Sequence, residues 1–402
     1  LGDDPVVPTS FLARDPATAS WVRLTLEGAR IADLAPGAGP AEPTPDDDWV
    51  APAFWDIQTN GRWGVSFSAP DLTVDQVTEV VRAQAALGTA RLCPTLITAS
   101  PDATAHGVGT IAAACDRFPD VAAMVLGLHL EGPYISPLDG YRGAHPIAAV
   151  RDPSWPEFAA WQGLSGGRIA LMTLAPERPG AIDFIRRAVA AGVVVAIGHT
   201  AADGDALRAA ADAGATLSTH LGNGIVSPLP RHPNAIWQQA ADDRLTASLI
   251  ADGHHLDRDT LKVLARAKTL DRVVLVSDHS PLAGLPVGTY GPWAVDPSGK
   301  IVVAGTPYLA GSNQDLDVGL STLLGAIPEL TLADAWKTVT AHPARLLNRP
   351  APALAPGAPA CLVRFRFDPD TRRVALRDTC VDGRWAEPEA PGQRAAKGTL
   401  AS

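Results

Sequence analysis

Residues 193–220 read VVVAIGHTAADGDALRAAADAGATLSTH, and the fold turns on how this stretch is understood. It holds two short apolar runs, 193–199 and 215–220, and each delivers a histidine at its end, His199 and His220. Runs of this length are strand-sized, and strands buried on both faces are near-continuously apolar rather than alternating. Working outward, similar runs fall near 50–58, 90–97, 122–131, 168–174, 246–252 and 272–278, with helical patterns between most of them. The clearest helix covers 72–87, where Thr73 and Gln76 fit a capping box and Gly88 stops the helix. Eight buried strands separated by helices predict an α/β fold, a (β/α)8 TIM-type barrel. A doubly wound open sheet is the alternative. The GxG of HGVGTIA (106–112) does not follow a strand, so a dinucleotide-binding unit is not expected.

Two Pro-dense segments flank this pattern, GAGPAEPTPDDD (37–48) and RPAPALAPGAPA (349–360). Beyond them, WVRLTLEGARIADL (21–34) and CLVRFRFDPDTRRVAL (361–376) alternate as amphipathic strands do. The expected organisation is therefore a barrel over 50–349 and a small β domain built from both chain ends, 1–49 and 350–402.

Composition narrows the function. The 402 residues carry 33 Lys+Arg against 43 Asp+Glu, a formal net charge of −10, and no basic block. A nucleic-acid partner is excluded on that ground, since phosphate neutralisation needs a basic surface. A small pocket for one phosphate is not. No apolar run approaches the roughly 18 residues that span a bilayer, so no membrane partner is expected. The opening LGDDPVVPTS has neither a basic n-region nor an apolar h-region, and it starts on Leu, which leaves the true start open. Cys93, Cys115, Cys361 and Cys380 are scattered without a disulfide rhythm; they are expected to be buried thiols in a reducing compartment, the cytoplasm.

The polar residues gather at strand ends. Glu131 closes MVLGLHLE, His199 and His220 close their runs, Asp252, His254 and His255 follow ASLIA, and Asp278 closes RVVLVSD. A barrel brings its C-terminal strand ends to one face, so these residues should converge on a metal site or an acid–base site. His129 alternates with Glu131 and is read as structural; His106 and His342 lie in helical segments and His279 in the loop after Asp278, and none is singled out as catalytic.

In order along the chain stand HLEGPY (129–134), GAHP (143–146), TLAPE (173–177), IGHT (197–200), THLGN (219–223), ADGHH (251–255), VSD (276–278), AGLPVGTY (283–290) and LAGS (309–312). With this ordered set the sequence resembles the N-acetylglucosamine-6-phosphate deacetylase family of the amidohydrolase superfamily, over roughly residues 50–350. The resemblance implies a (β/α)8 barrel carrying a small β-sandwich domain built from both chain ends, a small-molecule amino-sugar substrate, hydrolysed to the free amine and acetate, and a homodimer. It implies Glu131, His199 and His220 as ligands of one Zn2+ per chain, or of another divalent metal. Asp278 would be the catalytic aspartate and His145 the partner of the amide carbonyl. Ala144, Asn223, Gly224, Arg231, His255 and Leu309 would bind the substrate, with Arg231 on its phosphate.

The sequence also departs from the family. Gly222 and Gly224 stand where the family has an aromatic residue and Ala. Arg231-His232-Pro233-Asn234 replaces Arg-Glu-Pro-Gly, and His279-Ser280-Pro281 follows the aspartate. These changes fall on the sugar and phosphate side, so other N-acyl sugars, N-acyl amino acids and a non-catalytic sugar-phosphate sensor stay open as alternatives. Where many amidohydrolases have His-x-His, the first strand here has Gln58-x-Asn60. Neutral amides are weak zinc ligands, so one metal is expected, with these two side chains bonding at most to solvent or substrate.

Overall fold

A computed structural model describes residues 9–386. Eight parallel strands form the central sheet: Phe54–Thr59, Thr89–Ile97, Leu128–Glu131, Ile169–Leu174, Val194–Ile197, Leu217–Ser218, Thr246–Leu249 and Val273–Leu275. Each pairs with the next one in the chain. The ring closes between first and last, through a parallel bridge from Thr59 to His279. There the Asp278 N–H donates to the Gln58 carbonyl and the Asn60 N–H to the His279 carbonyl, both at 2.9 Å. This is the (β/α)8 barrel that the run spacing predicts.

The apolar runs are continuous because both strand faces are covered. Ile57, Cys93, Leu171, Ala196, Leu217, Ile250, Val274 and Val276 fill the barrel interior. Their neighbours, such as Leu92, Leu128, Val195 and Leu249, face the surrounding helices. Of those helices, Val74–Ala83 carries the full capping box of Thr73 and Gln76, then tightens into a 3-10 turn, Gln84–Leu87. Gly88 ends it with φ 84°, a conformation that glycine adopts without penalty.

The run 50–58 proves to be two strands. Asp48–Pro52 pairs with Leu362–Asp368 and touches Thr9–Arg14, whereas Phe54–Thr59 enters the barrel. Pro52 has no N–H to carry a ladder onward, and the chain changes sheet just after it. The strands from the two chain ends form one seven-stranded sheet, with Asp48–Pro52 at its centre. Leu24, Leu26, Ile31, Val50 and Leu362 make its small core. Arg14, only 1% exposed, holds Asp47 and donates to the carbonyls of Ala19, Pro40, Ala41 and Glu42. It thereby ties the Pro-rich segment 37–48 to the sheet.

One element has no counterpart in the sequence reading. After the last barrel strand, Gly288–Tyr290, Trp293–Val295 and Ile301–Val303 form a three-stranded antiparallel sheet. Val295 and Ile301 pack on Leu282, Ala283 and Ala310, which sets residues 307–311 over the barrel mouth. No helix among the described residues is long and apolar enough to cross a membrane. All four cysteines are free thiols.

Candidate active site

A buried polar constellation sits at the C-terminal mouth of the barrel, where strand ends converge. Glu131 is the last residue of its strand, and His199 and His220 follow theirs by two residues. The ligand atoms of these three lie within 4.8 Å of one another. Glu131 Oε1 is 3.1 Å from His199 Nε2 and 2.9 Å from His220 Nε2, and the two nitrogens are 3.1 Å apart. His199 (φ 51°), His220 (φ 31°) and Asp278 (φ 48°) all have left-handed backbone. For a residue other than glycine that conformation costs on the order of 1–3 kcal/mol. The strain aims the three side chains inward.

These residues fit a divalent cation. The Tyr141 carbonyl lies 3.0 Å from His199 Nδ1 and can only accept, so Nδ1 carries the proton and Nε2 presents a lone pair. That lone pair faces a second imidazole nitrogen and a carboxylate oxygen. With His220 Nε2 likewise unprotonated, such a trio repels itself unless a positive charge sits among them. One carboxylate with two imidazoles leaves coordination open for water, as catalytic zinc sites do.

Asp278 stands beside the trio, buried, three residues past the last strand. Burial and the neighbouring Glu131 charge push its carboxyl up from the ordinary value. Its Oδ1 accepts from Gln58 Nε2 at 3.0 Å and Asn60 Nδ2 at 2.8 Å. The expectation that these amides would bond only to solvent or substrate is thus corrected. Closure of the barrel puts the first strand against the last, so the amides meet the aspartate directly. Behind them, the buried Asp56 accepts from Ser277 and from the Gln58 N–H, fixing the same junction.

His145 also lines the cavity. Its Nδ1 takes the Thr98 N–H at 3.4 Å and lies 2.8 Å from the Thr98 hydroxyl, so Nε2 keeps its proton. Burial, with His199 adding to it, pushes the ring down to about 3. A neutral N–H donor results, suited to a carbonyl that gains negative charge.

Ala144, Asn223, Gly224, His255 and Leu309 line the same cavity. Gly222 (φ 99°) and Gly224 (φ 60°) have backbone that disfavours side chains. A Cβ at 224 would come within 2.8 Å of His199 Nδ1, and one at 222 within 3.0 Å of Leu256 Cδ2. The glycine at 224 therefore lets the loop press against the His199 ring, and the one at 222 lets it approach Leu256. Arg231 is different: it is exposed on the same loop and does not line the cavity. No Lys or Arg does. Sequence reasoning also missed Trp293 and Tyr308 on the rim, and the cluster of Arg62, His279 and Asp315 beside the mouth. In that cluster Asp315 Oδ1 lies 2.9 Å from both Arg62 Nη1 and His279 Nε2.

With this geometry in hand, the chain can be set beside known proteins. Residues 49–386 match the model of the Amidohydrolase family. An N-acetylgalactosamine-6-phosphate deacetylase of Escherichia coli O157:H7 is 33% identical over 330 residues, covering 79% of this chain and 84% of that protein. The N-acetylglucosamine-6-phosphate deacetylase of Homo sapiens is 37% identical over 314 residues, 74% of each chain. A solved mutant N-acetyl-D-glucosamine-6-phosphate deacetylase from Mycobacterium smegmatis, in complex with N-acetyl-D-glucosamine-6-phosphate, is 31% identical. It superposes with a TM-score of 0.80 over 94% of this chain and 99% of that one.

Proposed function

The chain belongs to the amidohydrolase family, and on that premise we propose that it removes the acetyl group from an amino-sugar phosphate. N-acetylglucosamine 6-phosphate is the first candidate, giving glucosamine 6-phosphate and acetate. The observation that carries this reading is the convergence of Glu131, His199, His220 and Asp278 at one barrel mouth.

In this reading Glu131, His199 and His220 hold one divalent metal, Zn2+ in the first instance, which when bound supplies Lewis acidity toward water and the amide carbonyl. Asp278 takes a proton from the attacking water and later returns it to the leaving nitrogen. Gln58 and Asn60 keep Oδ1 of that carboxylate occupied, so Oδ2 is the oxygen free to move the proton. His145 donates its Nε2–H to the carbonyl oxygen as it gains charge. Ala144, Asn223, Gly224, His255 and Leu309 surround the sugar, and Arg231 swings toward its phosphate from the loop outside. A homodimer, which the family resemblance implies, is the working assembly. The free thiols suit a cytoplasmic setting.

The relatives named above differ in the hexose they act on, so the C4 epimer is a question for experiment. An acetate-release assay over N-acetyl hexosamines, each with and without a 6-phosphate, tests the whole reading. Release from a phosphorylated N-acetyl hexosamine supports it. Turnover of unphosphorylated sugars or N-acyl amino acids alone would replace the substrate. Metal-loaded protein without any release would point to the sensor alternative.

A further inference from the structure

Asp252 has no part in the chemistry above, yet it is among the most fully engaged carboxylates in the molecule. It lies three residues past the seventh barrel strand, with its side chain 4% exposed. Oδ1 accepts the backbone N–H groups of His254 and His255, each at 2.8 Å. Oδ2 meets His255 Nδ1 and the Ser312 hydroxyl, again at 2.8 Å each. Three of these contacts lead to the cavity wall. His255 lines the cavity, and Ser312 ends the turn whose Leu309, Ala310 and Gly311 line it too. Ser312 reaches further still: its N–H donates to the Asp278 carbonyl at 2.8 Å, and its own carbonyl accepts from Ser280 at 3.0 Å.

We propose that Asp252 is a positioning residue: it fixes the proton of His255 on Nδ1, so that Nε2 faces the substrate in a set state, and it locks the 309–312 turn against the Asp278 peptide. The proposal rests on the reading of this cavity as the substrate site. A carboxylate accepts and cannot donate, so the nitrogen it contacts must bear hydrogen. With Nδ1 protonated, the neutral ring offers an Nε2 lone pair to the cavity. Burial raises the Asp252 carboxyl, but His255 and the two backbone N–H groups outweigh it and keep the group charged near neutral pH. Its remaining contact, Ser312, makes the same carboxylate a bridge between two loops that are otherwise far apart in sequence.

Asp252→Asn separates this role from simple packing, because it keeps the shape and reverses one donor. The amide oxygen can still accept the two backbone N–H groups, while the amide nitrogen now donates to His255 Nδ1. The ring proton must then move to Nε2, turning the cavity-facing acceptor into a donor. Imidazole 15N NMR on the unliganded, metal-loaded protein, with His255 assigned through His255→Gln, reads this directly. The expected result is the Nδ1–H form in the parent chain and the Nε2–H form in Asp252→Asn, with metal content unchanged. KM should rise about tenfold or more in the variant, the scale of one charge-assisted hydrogen bond. Ser312→Ala should leave the tautomer alone and lower kcat severalfold through the Asp278 peptide. A parent protein with Nε2–H, or an Asp252→Asn protein that keeps Nδ1–H, overturns the proposal. If Asp252→Asn does not fold, the parent tautomer and Ser312→Ala still decide it. Failure of the sugar-phosphate reading would appear in the acetate assay and leave the tautomer result standing.

Discussion

On one side of the barrel mouth, Glu131, His199, His220 and Asp278 are buried, and strand ends aim each of them. On the other side, residues 222–234 form a loop with prolines at 228, 230 and 233 and an exposed Arg231. The first side is over-determined. Asp278 is held through its own N–H, through two side-chain amides on one oxygen, and through Ser312 on its carbonyl. The second side has three prolines that donate no backbone hydrogen bond, and its main anchor is Asn234, which caps the helix Ala235–Ala241. The difference teaches where each kind of information lies. Reaction type is written in strand ends that the whole barrel supports. In the proposed reading, substrate identity is written in the loop, which touches the strand-end residues only where Gly224 meets His199.

That comparison can be broken at its strong side first. His220→Ala removes one of the three proposed ligands, so metal content should fall and acetate release should drop on the order of 10³-fold or more. Metal analysis and turnover on the same preparation check this; full metal with normal turnover would remove the trio from the chemistry. Asp278→Asn should keep the metal and lose about 10²- to 10⁴-fold in kcat, the scale of general acid–base catalysis. Normal kcat there would mean that another group moves the proton.

The loop side should respond differently. Arg231→Ala is expected to raise KM about tenfold for a phosphorylated sugar and to leave the unphosphorylated analogue unchanged. An equal change in both would leave Arg231 as a solvated side chain and make the loop a bystander.

The smallest effect concerns pH. Burial would raise Asp315, but Arg62 and His279 outweigh it and bring the group down to about 2. Its folded value is thus below the unfolded value of about 3.9. The associated stability is present above about pH 4 and is lost as pH falls toward 2. Asp315→Asn should therefore lower Tm near neutrality and flatten its decline between about pH 4 and pH 2. A parallel downward shift across that window would show that the ion cluster contributes nothing specific.

The comparison also explains what was legible in the sequence. Eight strand-sized runs are enough to propose the barrel, and polar residues at their ends mark the mouth, because strand direction fixes which end carries chemistry. Contacts between strands carry no such mark. Gln58 and Asn60 reach Asp278 across more than two hundred positions, and only closure of the ring brings them together. Asp252 shows in the sequence as a strand-end acid, but nothing there reveals that both its oxygens are filled. The sheet at 288–303 is hidden for another reason: its strands are three residues each, too short for alternation to register. Pro52, in turn, ends a strand inside what reads as a single apolar run.

The left-handed backbone at His199, His220 and Asp278 has an evolutionary consequence. Glycine adopts such angles freely, and asparagine tolerates them better than most residues. Substitution of these three positions by Gly or Asn would therefore relieve backbone strain while removing the proposed ligands and the proposed acid. A lineage released from catalysis would decay first at these positions, downhill, while the apolar barrel stayed intact. All three residues are still in place, each at a cost to the fold, which is hard to reconcile with a chain that only senses a sugar.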